Sequence, residues 1–108
     1  MKRESILLVL ILGLATQLFA GKINGSITEG GKPVAGVKVQ VTCGSNNYDG
    51  QTDGQGAFSV FATDKGKCML KVTYQGQTPS MEINSYDGSV QYDLILEKQG
   101  AQYTLKRK

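Results

Sequence analysis

The chain has 108 residues, a formal net charge of +3, 14 glycines and no histidine. This length fits one small domain, and the glycine content favours short strands and tight turns over long helices. The mild charge excludes a nucleic-acid groove, which needs many phosphate contacts, and the lack of histidine excludes Ser-His-Asp and Cys-His catalysis. Two cysteines are too few for a four-thiolate zinc site or an iron–sulfur cluster, so we expect no metal and no cofactor.

Residues 1–20 have the pattern of a secretory signal peptide. Lys2 and Arg3 precede an apolar stretch from Ile6 to Leu14, and Ala20 is the small residue of the predicted cleavage site. The apolar stretch is shorter than the roughly 20 residues that span a bilayer. We therefore predict cleavage after Ala20 and secretion or export to the periplasm, with no transmembrane segment in the mature protein.

After residue 20, apolar and polar residues alternate in short runs that turn residues separate, which is the pattern of strands with one buried face. Seven strands are predicted, at residues 22–28, 37–43, 48–52, 57–62, 68–74, 78–84 and 90–96. This pattern predicts an all-β fold, a seven-stranded antiparallel β-sandwich.

Several local features refine this prediction. The weak third strand and the sixth strand, which contains Pro79, are expected at sheet edges. Asp53 and Gly56 are expected to form a tight turn, in which the Asp53 side chain accepts backbone amides and Gly56 takes a positive φ. Phe61 is expected on an outer face, and residues 99–108 are expected to form a solvated basic tail.

The two cysteines lie on the inward sides of the second and fifth predicted strands. If consecutive strands alternate in direction, Cys43 and Cys68 lie at the same end of the sandwich. An exported chain with an even number of cysteines is expected to oxidise, so we predict a Cys43–Cys68 disulfide. By the chain-entropy estimate, a bridge that closes a loop of about 25 residues stabilises the fold by roughly 3 kcal/mol.

Several motifs resemble those of a known domain family. They are Ile23-x-Gly25-x-Ile27, the run from Gly31 to Val41, Thr52-Asp53-x-x-Gly56-x-Phe58, the run from Gly66 to Gly76, and the closing strand from Val90 to Leu96. In this order they resemble the carboxypeptidase regulatory-like domains, whose fold is a transthyretin-like or prealbumin-like sandwich. The resemblance covers residues 21–98. It implies a Greek-key sandwich of the immunoglobulin-like and transthyretin-like kind, without catalytic activity.

Alternating strand directions also bring three polar loops to the end that the cysteines share. The candidate ligand-binding residues there are Asn46, Asn47, Tyr48, Asp64, Asn84, Tyr86 and Asp87. Amide, carboxylate and aromatic groups together can hydrogen-bond to sugars and stack on them, but ordinary polar loops have the same composition. Phe61 is an alternative contact point for a protein.

These observations favour an exported, monomeric, noncatalytic module for protein interaction or structural scaffolding at the periplasm or cell surface. The expected partner is a protein or a glycan, and not a nucleic acid. The alternative hypothesis is a carbohydrate-binding module that uses the loops around Tyr48 and Tyr86.

Overall fold

A computed structural model describes residues 21–108, so the predicted signal peptide lies outside the described residues. This part of the chain forms nine β-strands and no helix. The strands are β1 (Gly21–Glu29), β2 (Lys32–Pro33), β3 (Lys38–Cys43), β4 (Asn46–Gln51), β5 (Ala57–Ala62), β6 (Gly66–Val72), β7 (Ser80–Ser85), β8 (Ser89–Gln99) and β9 (Gln102–Arg107).

β1 lies at the centre of the first sheet. β8 pairs with one side of β1 and β9 continues the sheet beyond β8, while β5 and the short β2 pair with the other side of β1. β1 and β8 run parallel, from Lys22 opposite Ser89 to Glu29 opposite Leu96. The prediction of an entirely antiparallel sandwich is therefore wrong for this pair. Alternation along a strand predicts its buried face, but it does not identify a distant pairing partner.

The second sheet has the strand order β4-β3-β6-β7 and is antiparallel throughout. β4 and β7 are its edge strands, which confirms the expected edge positions. Pro79 lies directly before β7, and its carbonyl accepts a hydrogen bond from the Val72 amide at 3.0 Å. Because proline has no N–H to donate, this position at the start of an edge strand suits it.

One hydrophobic core fills the space between the two sheets, which therefore form a β-sandwich. The fully buried aliphatic side chains come from both sheets. They are Ile23, Ile27, Leu94, Leu96 and Val60 from the first sheet, and Val39, Val41, Leu70, Val72 and Ile83 from the second. These residues confirm the predicted alternation of buried and exposed positions.

The described chain has nine strands rather than the predicted seven. β2 lies in a segment that Gly30, Gly31 and Pro33 led us to interpret as a loop, and it pairs with the end of β1. β9 corrects the prediction of a solvated tail at residues 99–108, because Leu105 is only 9% exposed and lies opposite Leu96 of β8. A single buried leucine among polar and basic neighbours is too weak an alternation to predict a strand.

The predicted turn between β4 and β5 is confirmed at the end of the sandwich opposite the cysteines. Asp53 Oδ1 accepts the amides of Gln55 and Ala57 at 2.9 and 3.0 Å. Both hydrogen bonds lower the pKa of the Asp53 carboxyl, and the one from Ala57 has the larger effect. Gly56 has a φ of +78°, and a Cβ there would lie 2.7 Å from the Ile27 carbonyl oxygen. This position therefore requires glycine.

The turn after β6 joins the two sheets at the same end. Tyr74 was predicted to be the last residue of the fifth strand, but it lies beyond the end of β6. Its hydroxyl donates a hydrogen bond to the Glu29 carboxylate at 2.7 Å. This hydrogen bond raises the pKa of Tyr74. The Gln77 side chain donates to the Ala101 carbonyl at 2.9 Å and accepts the Tyr103 amide at 2.8 Å. The Gln77 side chain thus donates one hydrogen bond to the backbone at the start of β9 and accepts one from it, as the backbone of a neighbouring strand would.

Candidate interaction surface at the disulfide end

Cys43 and Cys68 form a disulfide, as predicted from the sequence. Both cysteines are buried, and their Cα atoms lie 4.5 Å apart. The pairing of Thr42 with Met69 places the cysteines opposite each other on adjacent strands, β3 and β6. The bridge therefore links two strands of the second sheet and fixes the loops next to it. We refer to the loops at residues 44–45, 63–65 and 86–88 as the disulfide end.

Several of the predicted ligand-binding side chains are engaged with neighbouring side chains at this end. Asn46 donates to the Asp64 carboxylate at 2.8 Å. The Tyr48 hydroxyl and the Thr63 hydroxyl share a hydrogen bond of 2.8 Å. Alternating strand directions predicted that these loops meet, but they do not indicate which groups pair.

An ion pair joins the loop at residues 63–65 to the loop at residues 86–88. The Lys65 ammonium lies 2.7 Å from the Asp87 carboxylate, and both side chains are exposed. Exposed ion pairs contribute little stability by themselves, since water competes for both charges. Together with the two hydrogen bonds, this ion pair connects the start of β4, the loop at residues 63–65 and the loop at residues 86–88.

The two remaining predicted asparagines are also engaged. Asn47 Oδ1 accepts the Thr42 hydroxyl at 2.7 Å. The Asn84 backbone amide donates to the hydroxyl of Tyr92 at 2.8 Å. Tyr92 is a buried residue of β8, and it lies within the closing strand that was predicted from Val90 to Leu96. Its phenol hydroxyl ties the end of β7 to the first sheet.

Two aromatic side chains remain exposed at this end. Phe61 is 62% exposed near the end of β5, and Tyr86 is 53% exposed in the loop before β8. The exposed position of Phe61 confirms the prediction. The start of β1 lies between them, because Lys22 pairs with Phe61 and a Cβ on Gly21 would collide with the Tyr86 carbonyl oxygen. Phe61 and Tyr86 therefore flank one short segment of β1.

Residues 21–108 contain no group of three or more histidine, cysteine or acidic residues that could hold a metal ion. In the same part of the chain, no helix is long and apolar enough to cross a membrane. The two shifted pKa values described above, those of Asp53 and Tyr74, belong to the opposite end of the sandwich. The disulfide end is therefore best described as an ordered polar surface with two exposed aromatic rings.

No protein-family model matches this sequence, and no curated protein matches it either. Among solved structures, the chain is similar to a putative cell adhesion protein from Bacteroides ovatus ATCC 8483, whose crystal structure has a resolution of 2.18 Å. The TM-score is 0.52 at 12% sequence identity, and the match covers 82% of this chain and 43% of that chain. The chain thus spans less than half the length of that protein, and the similarity concerns the fold alone.

Proposed function

We propose that this protein is an exported, noncatalytic β-sandwich module that binds a protein partner at the periplasm or cell surface through its disulfide end. We further propose that it is a Greek-key sandwich of the carboxypeptidase regulatory-like and transthyretin-like kind. The order of the motifs in the sequence supports this assignment.

The observation that carries the proposal is the pair of exposed rings, Phe61 and Tyr86, on a frame of cross-linked loops. Aromatic residues supply much of the binding energy of protein interfaces when a rigid surface presents them. The disulfide and the three loop contacts reduce the ordering cost of binding at this end. The Bacteroides ovatus protein of similar fold is a putative cell adhesion protein, which is compatible with this role.

Export is supported by the disulfide, because such bonds persist in oxidising compartments. The noncatalytic assignment is supported by the absence of histidine from the sequence. It is also supported by the engagement of Asp64 and Asp87 with neighbouring side chains instead of a shared reaction centre.

The alternative, carbohydrate binding through Tyr48 and Tyr86, stays a prediction. Tyr48 is half-buried against the core and its hydroxyl is engaged with Thr63, so Tyr86 is the more accessible ring of the two. Glycan-array binding that is lost on Tyr86→Ala would favour this alternative over a protein partner.

Site-specific photo-cross-linking in the native host tests the protein-binding proposal. A benzophenone amino acid replaces Tyr86 in one variant and Met69 in a control variant, since Met69 is 41% exposed on the outer face of the second sheet. We expect one reproducible protein adduct at Tyr86, which is lost when Phe61→Ala is added. No adduct, or the same adduct at Met69, would contradict the proposal.

A further inference from the structure

The strands at the edges of the two sheets are protected to different degrees. An edge strand presents backbone N–H and C=O groups that can pair with another strand. At β9, the Gln77 side chain already occupies two of these groups. At β7, the Tyr92 hydroxyl accepts the Asn84 amide at 2.8 Å and donates to the Asn84 carbonyl at 3.2 Å. The edge of β5 lies against β4, since a Cβ on Gly50 would be 2.8 Å from the Ser59 carbonyl oxygen.

β4, at the remaining edge of the second sheet, has free backbone groups. Thr52, directly after β4, points its amide towards β3, where it donates to the Val37 carbonyl at 2.9 Å. Backbone groups of successive residues in an antiparallel strand point to opposite sides, so those of Asn47, Asp49 and Gln51 point away from β3. Within residues 21–108, β4 pairs with β3 alone, and no hydrogen bond involves these amides and carbonyls. We call this row of backbone groups the β4 edge.

The β4 edge is exposed and ordered. All three of its residues are exposed. Tyr48, which lies among them, shares its hydroxyl hydrogen bond with Thr63, and Cys43 of the disulfide lies opposite Asn46 at the start of β4. An ordered edge loses little conformational freedom when it binds a further strand.

The sequence around β4 is acidic. Residues 44–64 contain three carboxylates and no lysine or arginine, although the whole chain has a formal net charge of +3. One carboxylate lies within β4, one follows its end, and one accepts a hydrogen bond from its first residue. They are Asp49, Asp53 and Asp64.

These three carboxylates keep their negative charge. Neutral amides donate to them, from Gln40 to Asp49, from Asn46 to Asp64 and from the backbone to Asp53. None of the ion pairs formed within residues 21–108 includes any of the three. By strand register, Lys38 of β3 is the cation next to β4, and Lys65 is ion-paired with Asp87. Negative charge therefore prevails along the β4 edge.

We propose that the β4 edge binds an extended basic segment of a partner protein, which adds a fifth strand to the second sheet. The free groups repeat every second residue, about 7 Å apart, and an extended polypeptide carries matching donors and acceptors at the same spacing. A lysine or arginine opposite Asp49 forms a cross-strand pair of opposite charges.

A second copy of this chain fits the β4 edge less well than a basic segment does. Antiparallel pairing of two β4 strands about Asp49 places two carboxylates opposite each other, where like charges repel. The β4 edge is also separate from the exposed rings of Phe61 and Tyr86, so this proposal goes beyond the binding of a partner at the disulfide end and does not depend on it.

NMR with a synthetic peptide tests the proposal. The probe has about eight residues, in which lysine alternates with threonine, and both of its ends are blocked. One control peptide has N-methyl groups on the lysine amides, which removes the backbone donors that face Asp49 but keeps the charge. The other control has glutamate in place of lysine. We expect only the probe to bind, and to slow hydrogen exchange at the Asn47, Asp49 and Gln51 amides at least about tenfold.

Matched variants test the contribution of charge. Asp49→Asn and Glu82→Gln each remove one exposed carboxylate from an edge strand of the second sheet, β4 or β7. We expect Asp49→Asn to weaken binding of the probe about twofold to fivefold, as for one cross-strand charge pair. Glu82→Gln should leave the affinity unchanged.

Four results would overturn the proposal. Equal binding of the N-methylated peptide would indicate charge attraction without strand pairing, and equal weakening by both variants would indicate a nonspecific effect. Self-association of the protein through the same amides would indicate a second copy as the occupant. Unchanged exchange at about 1 mM probe would show that β4 binds no such strand. Phe61→Ala with Tyr86→Ala should leave binding of the probe intact, which distinguishes the β4 edge from the disulfide end.

Discussion

The two ends of the sandwich are held together by different kinds of interaction. At the disulfide end, the contacts between side chains of the loops are exposed, and beneath them lie the buried disulfide and the half-buried hydrogen bonds between Tyr92 and Asn84. At the opposite end, which we call the hairpin end, the contacts of Thr52, Tyr74 and Gln77 join the loops to both sheets. Exposed polar contacts contribute little, so the covalent bond allows the disulfide end to remain a polar surface with exposed rings. At the hairpin end, the hydrogen bonds that Thr52, Tyr74 and the Tyr103 amide form are half-buried.

The largest expected effect comes from removing the disulfide. Cys43→Ala with Cys68→Ala opens a loop of 25-residue separation and should lower the free energy of unfolding by about 3 kcal/mol. Urea unfolding of the variant and of the reduced native protein measures this loss. Equal midpoints for the oxidised protein and the variant would contradict this stabilisation by the disulfide.

At the hairpin end, Gln77→Glu removes the donor to Ala101 while it keeps an acceptor for the Tyr103 amide. The variant places a carboxylate against a carbonyl oxygen, so we expect a loss of about 1 to 2 kcal/mol. Hydrogen exchange at the Tyr103 amide should become faster. Gln99→Glu is the control, since Gln99 is exposed near the same turn, and equal losses in both variants would contradict this role of Gln77.

The smallest expected effect is a pH dependence at the Asp53 turn. Because folding lowers the pKa of this carboxyl, its contribution to stability is present above about pH 4 and is lost as the pH falls through the folded value. Asp53→Asn removes this titration, so the difference in stability between the native protein and the variant should shrink on acidification. Urea unfolding of both proteins from pH 7 to about pH 2 measures this difference in stability. A difference that stays constant would contradict the assignment.

The sequence predicted those parts of the fold that local alternation determines. Val39, Val41, Leu70 and Val72 alternate with polar residues and lie in the core as predicted. β9 was missed because Leu105 is its only buried side chain. The parallel partner of β1 was missed because no local pattern encodes a pairing between strands that lie far apart in the chain.

The sequence predicted which loops lie together at the candidate site, but not which of their side chains contact each other. Strand alternation correctly brought the loops of Asn46, Asp64 and Asp87 to one end, next to the disulfide. Which side chains would engage each other depends on side-chain geometry that a sequence pattern does not contain. The role of Tyr92 could have been suspected, since a buried phenol hydroxyl requires a partner.

β1 cannot complete its sheet until β8 has been synthesised, because the two strands pair across a separation of 67 residues at Ser26 and Asp93. Contacts this distant in sequence slow folding, whereas the β3–β4 hairpin closes over a short turn. Until β8 arrives, one edge of β1 is unpaired, and Leu94 and Leu96 are missing from the core that Ile23 and Ile27 join. A chain that still lacks β8 and β9 therefore cannot close its core, and the sandwich is completed by the strands that are synthesised last among the described residues.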